Sequence, residues 1–279
     1  MLARPPQTRS WLVLAVCSTY LIAATRAASA DCGFGYELLA AKLDTLDHGI
    51  AKVCAETLAG AYLYDYPRTC RDGSIKSSGI YLLQPEKGFR DPFQARCEQD
   101  YEGGGWTVIQ HRFDGATNFV RPWEQFKNGF GHLEGEFWLG LEKIHQLTYS
   151  TPHELHVLLE DFEGKQAVAK YEDFAVASEY EFYKLVKLGS YSGTAGDSLS
   201  GHKDHNFSTF DRDNDKHETA NCATVYSGAW WHGKCHSSNL NGLYLKGVTT
   251  SYSNGMCWNA FKGYHYSLKV SKMMIRSKV

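Results

Sequence analysis

Glu154-Leu155-His156-Val157-Leu158-Leu159-Glu160-Asp161-Phe162, then Glu163-Gly164-Lys165, then Gln166-Ala167-Val168-Ala169-Lys170-Tyr171-Glu172-Asp173-Phe174 is the stretch on which the fold turns. Both long segments alternate apolar and polar residues, the two-residue period of a half-buried strand. A short Gly-containing connection between them places Glu154–Phe162 and Gln166–Phe174 side by side in a central antiparallel sheet.

Outward from this pair, Gly-rich turns separate short aromatic strands, as in Gly103-Gly104-Gly105-Trp106-Thr107-Val108-Ile109. That texture begins at Tyr66-Pro67 and runs to the C-terminus without an obvious linker. Pro122 to Asn128 and Glu136 to Gln146 have helical character, the second with Leu139, Ile144 and the following Leu147 apolar. From about Gly189 the strand signal fades into Gly, Ser, Asn and Asp. So long a stretch without regular pattern needs bound ions, disulfides or aromatic packing to hold it. No internal repeat and no low-complexity tract interrupts the chain.

The 279 residues include 29 Lys and Arg against 31 Asp and Glu, with 17 Tyr, 14 Phe, 7 Trp and 8 Cys. This balance offers no electrostatic footprint for nucleic acid and no basic block for an anionic membrane. The aromatic content excludes wholesale disorder. Arg4 and Arg9 precede an apolar run from Trp11 to Ala24, which leads to Ala28-Ser29-Ala30. The run is short for a bilayer span, and the A-x-A ending is that of a signal peptide covering 1–30. No other segment is long and apolar enough to cross a membrane, so the mature chain is expected to be secreted, soluble and extracellular.

Loss of Cys17 with that peptide leaves 8 − 1 = 7 cysteines: Cys32, Cys54, Cys70, Cys97, Cys222, Cys235 and Cys257. Disulfides are the default in an oxidising compartment, and an odd count leaves at least one thiol, for a bond between chains or for no bond at all. Residues 31–66 read as a short helical stalk. Tyr36, Leu39, Leu43, Leu46, Ile50 and Val53 are spaced 3, 4, 3, 4, 3, the alternation of an a/d seam. The seam suits either a coiled coil or an amphipathic helix packed on its own domain. Cys32 and Cys54 lie at its two ends. A homo-oligomer is therefore expected, with Cys32 or Cys54 linking chains and Cys257 as the competing thiol.

Asp211-Arg212-Asp213-Asn214-Asp215 is the densest acidic cluster. Oxygen side chains at alternate loop positions suit a hard cation such as Ca²⁺; the alternative is a solvated acidic turn. The spacing is not that of an EF-hand, because Lys216 stands at the glycine position and Cys222 at the final glutamate position. His202, His205, His217, His232 and His236 share no ligand spacing, and no H-E-x-x-H, G-x-S-x-G or phosphate-binding glycine motif is present. No residue pattern supports an enzyme. Tyr226-Ser227-Gly228-Ala229-Trp230-Trp231-His232-Gly233-Lys234-Cys235-His236 reads as a packed aromatic corner or a pocket rim, with packing the commoner use of paired tryptophans.

Ten collinear motifs between residues 67 and 279 resemble the fibrinogen C-terminal domain family. They are Cys70-Arg-Asp-Gly73, Ser78-Gly-Ile-Tyr81, Gly104-Gly-Trp-Thr-Val-Ile-Gln110, Gly135-Glu-Phe-Trp-Leu-Gly140, Phe207-Ser-Thr-Phe-Asp-Arg-Asp-Asn-Asp215, Asn221-Cys-Ala223, Trp230-Trp231, Cys235-His236, Asn239-Leu-Asn-Gly242 and Tyr266-Ser-Leu-Lys269. Within that family the Gly228–Trp231 segment and its aromatic neighbours are most similar to ficolins, tachylectins and other invertebrate fibrinogen-related lectins.

The resemblance implies an α+β fold: a small disulfided N-terminal subdomain, a central twisted antiparallel sheet with helices, and a loop-rich subdomain for calcium and ligand. It implies Cys70–Cys97 and Cys222–Cys235 pairings. It implies Ca²⁺ held by the carboxylates of Asp213 and Asp215 and carbonyls near His217 and Thr219, with Asp211 a neighbour. It places a pocket at Tyr226, Cys235, His236, Tyr252 and Tyr264, beside a cis Lys234–Cys235 peptide. The function implied is calcium-dependent recognition of acetylated glycans on microbial surfaces, in innate immunity. The alternative is a protein-binding or matrix module using the same pocket for a peptide. Four features depart from the family pattern: Cys257, one extra residue before Cys222, a C-terminal Arg276-Ser-Lys-Val without the frequent proline, and the absence of a collagen repeat.

Overall fold

Apolar alternation becomes strand wherever a neighbouring strand can bury the apolar side, and the computed structural model describes the result for residues 65–86 and 90–279. The strands are β1 (Gly79–Leu83), β2 (Phe93–Glu98), β3 (Trp106–Arg112), β4 (Phe130–Gly131), β5 (Phe137–Trp138), β6 (His153–Glu160), β7 (Gln166–Val176), β8 (Leu185–Leu188) and β9 (Tyr191–Gly193). They continue with β10 (Ser238–Asn239), β11 (Gly247–Val248), β12 (Cys257–Trp258), β13 (Tyr266–Ser267) and β14 (Val270–Ser277). Among the described residues four short α-helices accompany them: α1 (Trp123–Asn128), α2 (Leu141–Ser150), α3 (Cys222–Val225) and α4 (Asn259–Lys262).

The main sheet runs β1-β2-β3-β14-β6-β7-β8, with β5 also on β3, β4 on β5 and β9 on β7. Its pairings are antiparallel. The α+β architecture is as expected. β6 and β7 form the anticipated hairpin, Leu158 opposite Val168 and Glu160 opposite Gln166. Leu155, Val157 and Leu159 of β6 are buried, as are Ala167, Ala169 and Tyr171 of β7. β6 begins one residue earlier than anticipated and stops at Glu160, because Asp161 turns its carboxylate back on the chain. Its Oδ1 accepts from the N–H groups of Glu163 and Lys165 at 3.0 and 2.8 Å.

One expectation needs correction. Glu136 to Gln146 is not one helix: Phe137 and Trp138 form β5, paired with β3 through His111 and Gln110, and α2 starts only at Leu141. Tertiary pairing overrides local helix preference here, and Gly140 marks the break at φ 113°. A Cβ on Gly140 would lie 2.8 Å from the Asn128 carbonyl, so backbone conformation and close approach both demand glycine. α2 then buries Leu141, Ile144 and Leu147, and it packs against β7.

The strand-poor region after β9 is held by aromatic packing and by the Cys222–Cys235 disulfide; Cys70–Cys97 ties the start of the domain to β2. Trp230 and Trp231 are both buried, Trp231 against Trp138, Phe174 and Phe207, so the tryptophan pair is core. Residues Tyr66–Val279 make one compact unit. The signal peptide over 1–30, the stalk seam, Cys32 and Cys54 lie outside the described residues. Gly140→Ala should lower unfolding free energy by about 1–3 kcal/mol through backbone strain and overlap with Asn128; denaturant melts of the two proteins check it.

Candidate functional site

Two regions stand where the resemblance places a site: an acidic loop at 211–219 and a cluster of rings around His236. In the loop, Asp211 is occupied structurally. Its Oδ1 accepts from the Trp123 N–H at 3.0 Å and from the Thr209 hydroxyl at 2.7 Å. Asp213 is exposed, and its Oδ1 accepts from the Asp215 N–H at 3.2 Å. Asp215 is the pinned member: Oδ1 accepts from the His217 N–H and Oδ2 from the Cys222 N–H, both at 2.7 Å. The carbonyls of His217 and Thr219 accept no hydrogen bond from the described residues.

This donor set is all oxygen, two carboxylates with lone pairs remaining and two free carbonyls, which fits a hard divalent cation such as Ca²⁺. Among the described residues no group of three or more His, Cys, Asp or Glu side chains is placed to hold a metal. A cation here would therefore draw on main-chain carbonyls and water as well as Asp213 and Asp215.

The ring cluster is built from four separated positions. Tyr226 follows α3, and its carbonyl accepts from Asn239 Nδ2 at 3.0 Å. Its ring stands edge-on to His236, centroids 4.7 Å apart at 89°. Tyr252, 54% exposed, lies 6.4 Å from Tyr226 and 5.3 Å from Tyr264. Tyr264 closes the group 6.5 Å from His236, its hydroxyl donating to the His236 carbonyl at 3.4 Å. The Lys234–Cys235 peptide is cis. The N–H groups of Cys235 and His236 donate no hydrogen bond to the described residues.

Behind the rings is a layer with no signal in the linear spacing. His236 Nε2 contacts the Ser253 hydroxyl at 2.7 Å and its carbonyl at 3.1 Å. Ser253 is buried and held at φ 59°. His232 lies 5.2 Å from His236, and its Nε2 contacts the Gly228 carbonyl at 2.8 Å. His202 Nδ1 meets the Trp231 carbonyl at 2.8 Å, and its Nε2 accepts from the Ser237 N–H at 3.1 Å. Burial pushes His236 and His202 down to about 3 and His232 down to about 4. The neighbouring imidazoles add to the shift; hydrogen bonds and the charges of Asp197 on His202 and Asp213 on His232 oppose it. All three are neutral at physiological pH.

Cys257 is also here, and it corrects an expectation. It is a buried free thiol, Sγ 3.6 Å from the Ser253 hydroxyl, so it offers no surface sulfur for a bond between chains. Burial raises its pKa to about 11, which leaves it a thiol rather than a thiolate.

The family model for fibrinogen beta and gamma chains, C-terminal globular domain, matches residues 52–278. The chain belongs to this family. Fibrinogen C domain-containing protein 1 of Macaca fascicularis is 49% identical over 206 residues, covering 72% of this chain and 47% of that protein. The human protein of that name is 48% identical, covering 72% and 44%. The chain thus spans less than half the length of these curated relatives. Among solved structures, the fibrinogen-like globe domain of human ANGPTL2 aligns with TM-score 0.72 and 45% identity, covering 76% of this chain and all of that one. A lamprey fibrin D-dimer, complexed with the peptide Gly-His-Arg-Pro-amide, aligns with TM-score 0.68 and 30% identity over 96% of this chain and 94% of that one. No helix among the described residues is long and apolar enough to cross a membrane.

The histidine layer makes stability pH-dependent with a definite sign. Each folded pKa lies below the ordinary value of 6.5, so the unfolded chain binds protons first as pH falls. Stability is full above 6.5 and is lost toward the folded values, by up to about 1.4 kcal/mol per pH unit for each histidine. Melting curves taken from about pH 7 to about pH 5 should show this loss, and a flat profile would contradict the burial described.

Proposed function

We propose that this chain is a secreted, calcium-dependent carbohydrate-binding protein that recognises acetylated glycans on microbial surfaces, in the manner of an innate-immune pattern-recognition lectin. The observation that supports it best is the chemistry of the pocket wall. Tyr226, His236, Tyr252 and Tyr264 converge, and the titratable groups that act on His236 are other imidazoles, not carboxylates. An uncharged aromatic wall suits the methyl of an acetyl group, and the undonated N–H groups of Cys235 and His236 suit its carbonyl oxygen. Asp213 and Asp215 hold calcium in this reading, and the cation's part is to order the 211–222 loop beside the pocket. No catalytic step is involved.

An acetamido group has four heavy atoms, so about 1.5 kcal/mol per atom limits one site to roughly 6 kcal/mol, or tens of micromolar. Useful retention on a cell surface then calls for several linked copies, which agrees with the homo-oligomer expected from the stalk.

A second reading has one specific observation behind it: the lamprey fibrin D-dimer of this fold is complexed with a short peptide. A peptide amine needs an acidic wall, and the ring contacts and hydrogen bonds of these four side chains involve no carboxylate.

Columns of acetylated resin and the same resin deacetylated separate the readings. The lectin should be retained by the first, released by N-acetylated sugar or by chelator, and should pass through the second. Equal retention on both favours the peptide reading. Tyr226→Ala should weaken binding of N-acetylated sugar at least tenfold, about 1.4 kcal/mol, with little change in melting temperature. Asp213→Ala should remove the calcium dependence of both binding and stability, measured by calorimetry and by melting with and without the ion.

A further inference from the structure

Asn206-Phe207-Ser208 is the one Asn-x-Ser/Thr triplet in the sequence, the pattern at which a glycan is attached to a chain in the secretory pathway. The pattern carries weight only where the asparagine is accessible and has no other work. Of the nine asparagines, seven use the side-chain amide in a hydrogen bond, as Asn214 and Asn239 do. Asn206 does not. Its amide meets no partner among the described residues, and although the residue is half-buried both of its polar atoms reach solvent. Asn259 is the other idle amide, and Phe261 stands where its triplet would need a hydroxyl. The rest of the Asn206 triplet is fully employed. Phe207 is buried against Phe126, Trp138 and Trp231, and the Ser208 hydroxyl accepts the Asn214 N–H at 3.0 Å. Packing thus accounts for the second and third residues of the triplet and leaves the first without a task.

We propose that Asn206 is a glycan acceptor. Its Nδ2 displaces a lipid pyrophosphate from the anomeric carbon of a lipid-linked oligosaccharide. The anomeric C–O bond breaks, the Nδ2–C bond forms, the amide gives up one proton, and the lipid pyrophosphate leaves. The transfer takes place on the extended chain, before the Ser208 hydroxyl is taken by Asn214. The folded chain then has to carry a bulky polar group, and position 206 can do so. The backbone on both sides is pinned: the His205 carbonyl accepts the Leu185 N–H at 3.1 Å, and the Phe207 N–H donates to the Phe182 carbonyl at 3.0 Å. A substituent on Nδ2 breaks neither bond. Lys203 and Asp204, next along the loop, are exposed, so the chain leaves that side open to solvent. The glycan would stand beside the acidic loop, where Asn214 Nδ2 donates to the Phe207 carbonyl at 2.9 Å. A plain solvated loop asparagine is the competing account; it explains the idle amide but requires that the one glycan triplet in the chain fall on it by coincidence. The inference rests on the secreted reading above and not on the ligand of the pocket.

The full chain, expressed in cultured animal cells and recovered from the medium, tests the acceptor directly. Trypsin releases 204–212 by cutting after Lys203 and Arg212, and Asn206 is the only asparagine in that peptide. In most secreted molecules the peptide should appear only after N-glycosidase treatment, with aspartate at position 206 as that enzyme leaves it. Asn206→Gln should abolish the accompanying mobility shift. Its melting temperature should match that of the enzymatically deglycosylated protein, because the amide holds nothing in the fold. A parallel expression carries a foreign signal peptide in place of residues 1–30. If the chain with its own N-terminus stays inside the cell while this version is secreted with the glycan, the secreted reading fails and the acceptor stands. An unmodified 204–212 peptide in most molecules secreted from either expression overturns the proposal.

Discussion

The last strand of the chain occupies the middle of the sheet, and the rest of the architecture depends on that placement. β14 lies between β3 and β6, pairing Lys272 with His111 on one side and with Leu158 on the other. The sheet is therefore two halves until residues 270–277 arrive. Everything between β9 and β14, the acidic loop and the pocket included, is an excursion whose two ends are both fixed in one sheet. That is how a region of two-residue strands and turns holds a defined shape. Its own ladder bonds are few, but its boundary is rigid. The cost is kinetic, since such pairing is non-local and must wait for loop closure.

A buried arginine fastens the excursion to the sheet midway. Arg112 donates Nη1 to the carbonyls of Gly242 and Leu240 at 2.8 and 3.2 Å, and its guanidinium sits 3.9 Å from the Phe119 ring centre. Gln110, two residues earlier, donates to the Leu240 carbonyl at 3.0 Å and accepts from Ser271 of β14 at 2.6 Å. Burial lowers the Arg112 pKa to about 10, which still leaves it charged at neutral pH. Nearby Glu136 is a complementary case. Burial acts to raise its pKa, but four backbone N–H groups, of Phe113, Asp114, Gly115 and Thr117, converge on the carboxylate and bring it below the usual range. Each buried charge is thus met by polarised backbone groups, which removes the penalty of an unpaired ion and cinches the chain between them.

These contacts mark the boundary of what the amino-acid pattern makes legible. Alternation located β6 and β7 because both are half-buried along most of their length, and the family motifs located the two disulfides and the rings. α2 was misplaced by five residues at its start, Leu141 instead of Glu136, because the pattern has no means of seeing that Phe137 and Trp138 are claimed by β3. The burial of Cys257 was invisible for a similar reason: a lone thiol reads the same whether it faces water or Ser253. His202 and His232 share no ligand spacing with the other loop histidines, yet the fold brings both near His236. Local periodicity reports which face of an element is apolar. It does not report which distant backbone carbonyl an imidazole will meet.

The acidic loop and the ring cluster are joined by a short mechanical chain. Asp215 Oδ2 holds the Cys222 N–H at 2.7 Å, Cys222 is bonded to Cys235, and Cys235 is followed directly by His236. Asn221 caps α3 by accepting the Thr224 N–H at 2.9 Å, so the helix that Tyr226 follows starts at the half-cystine Cys222 itself. A ligand that fixed the Asp215 carboxylate would act on Tyr226 and His236 together through one hydrogen bond and one covalent bridge, without touching either ring. Coupling of two sites requires that one ligand favour the arrangement the other needs. Here the arrangement is the position of a single half-cystine: it sets where His236 stands, and the same bridge sets where α3 begins.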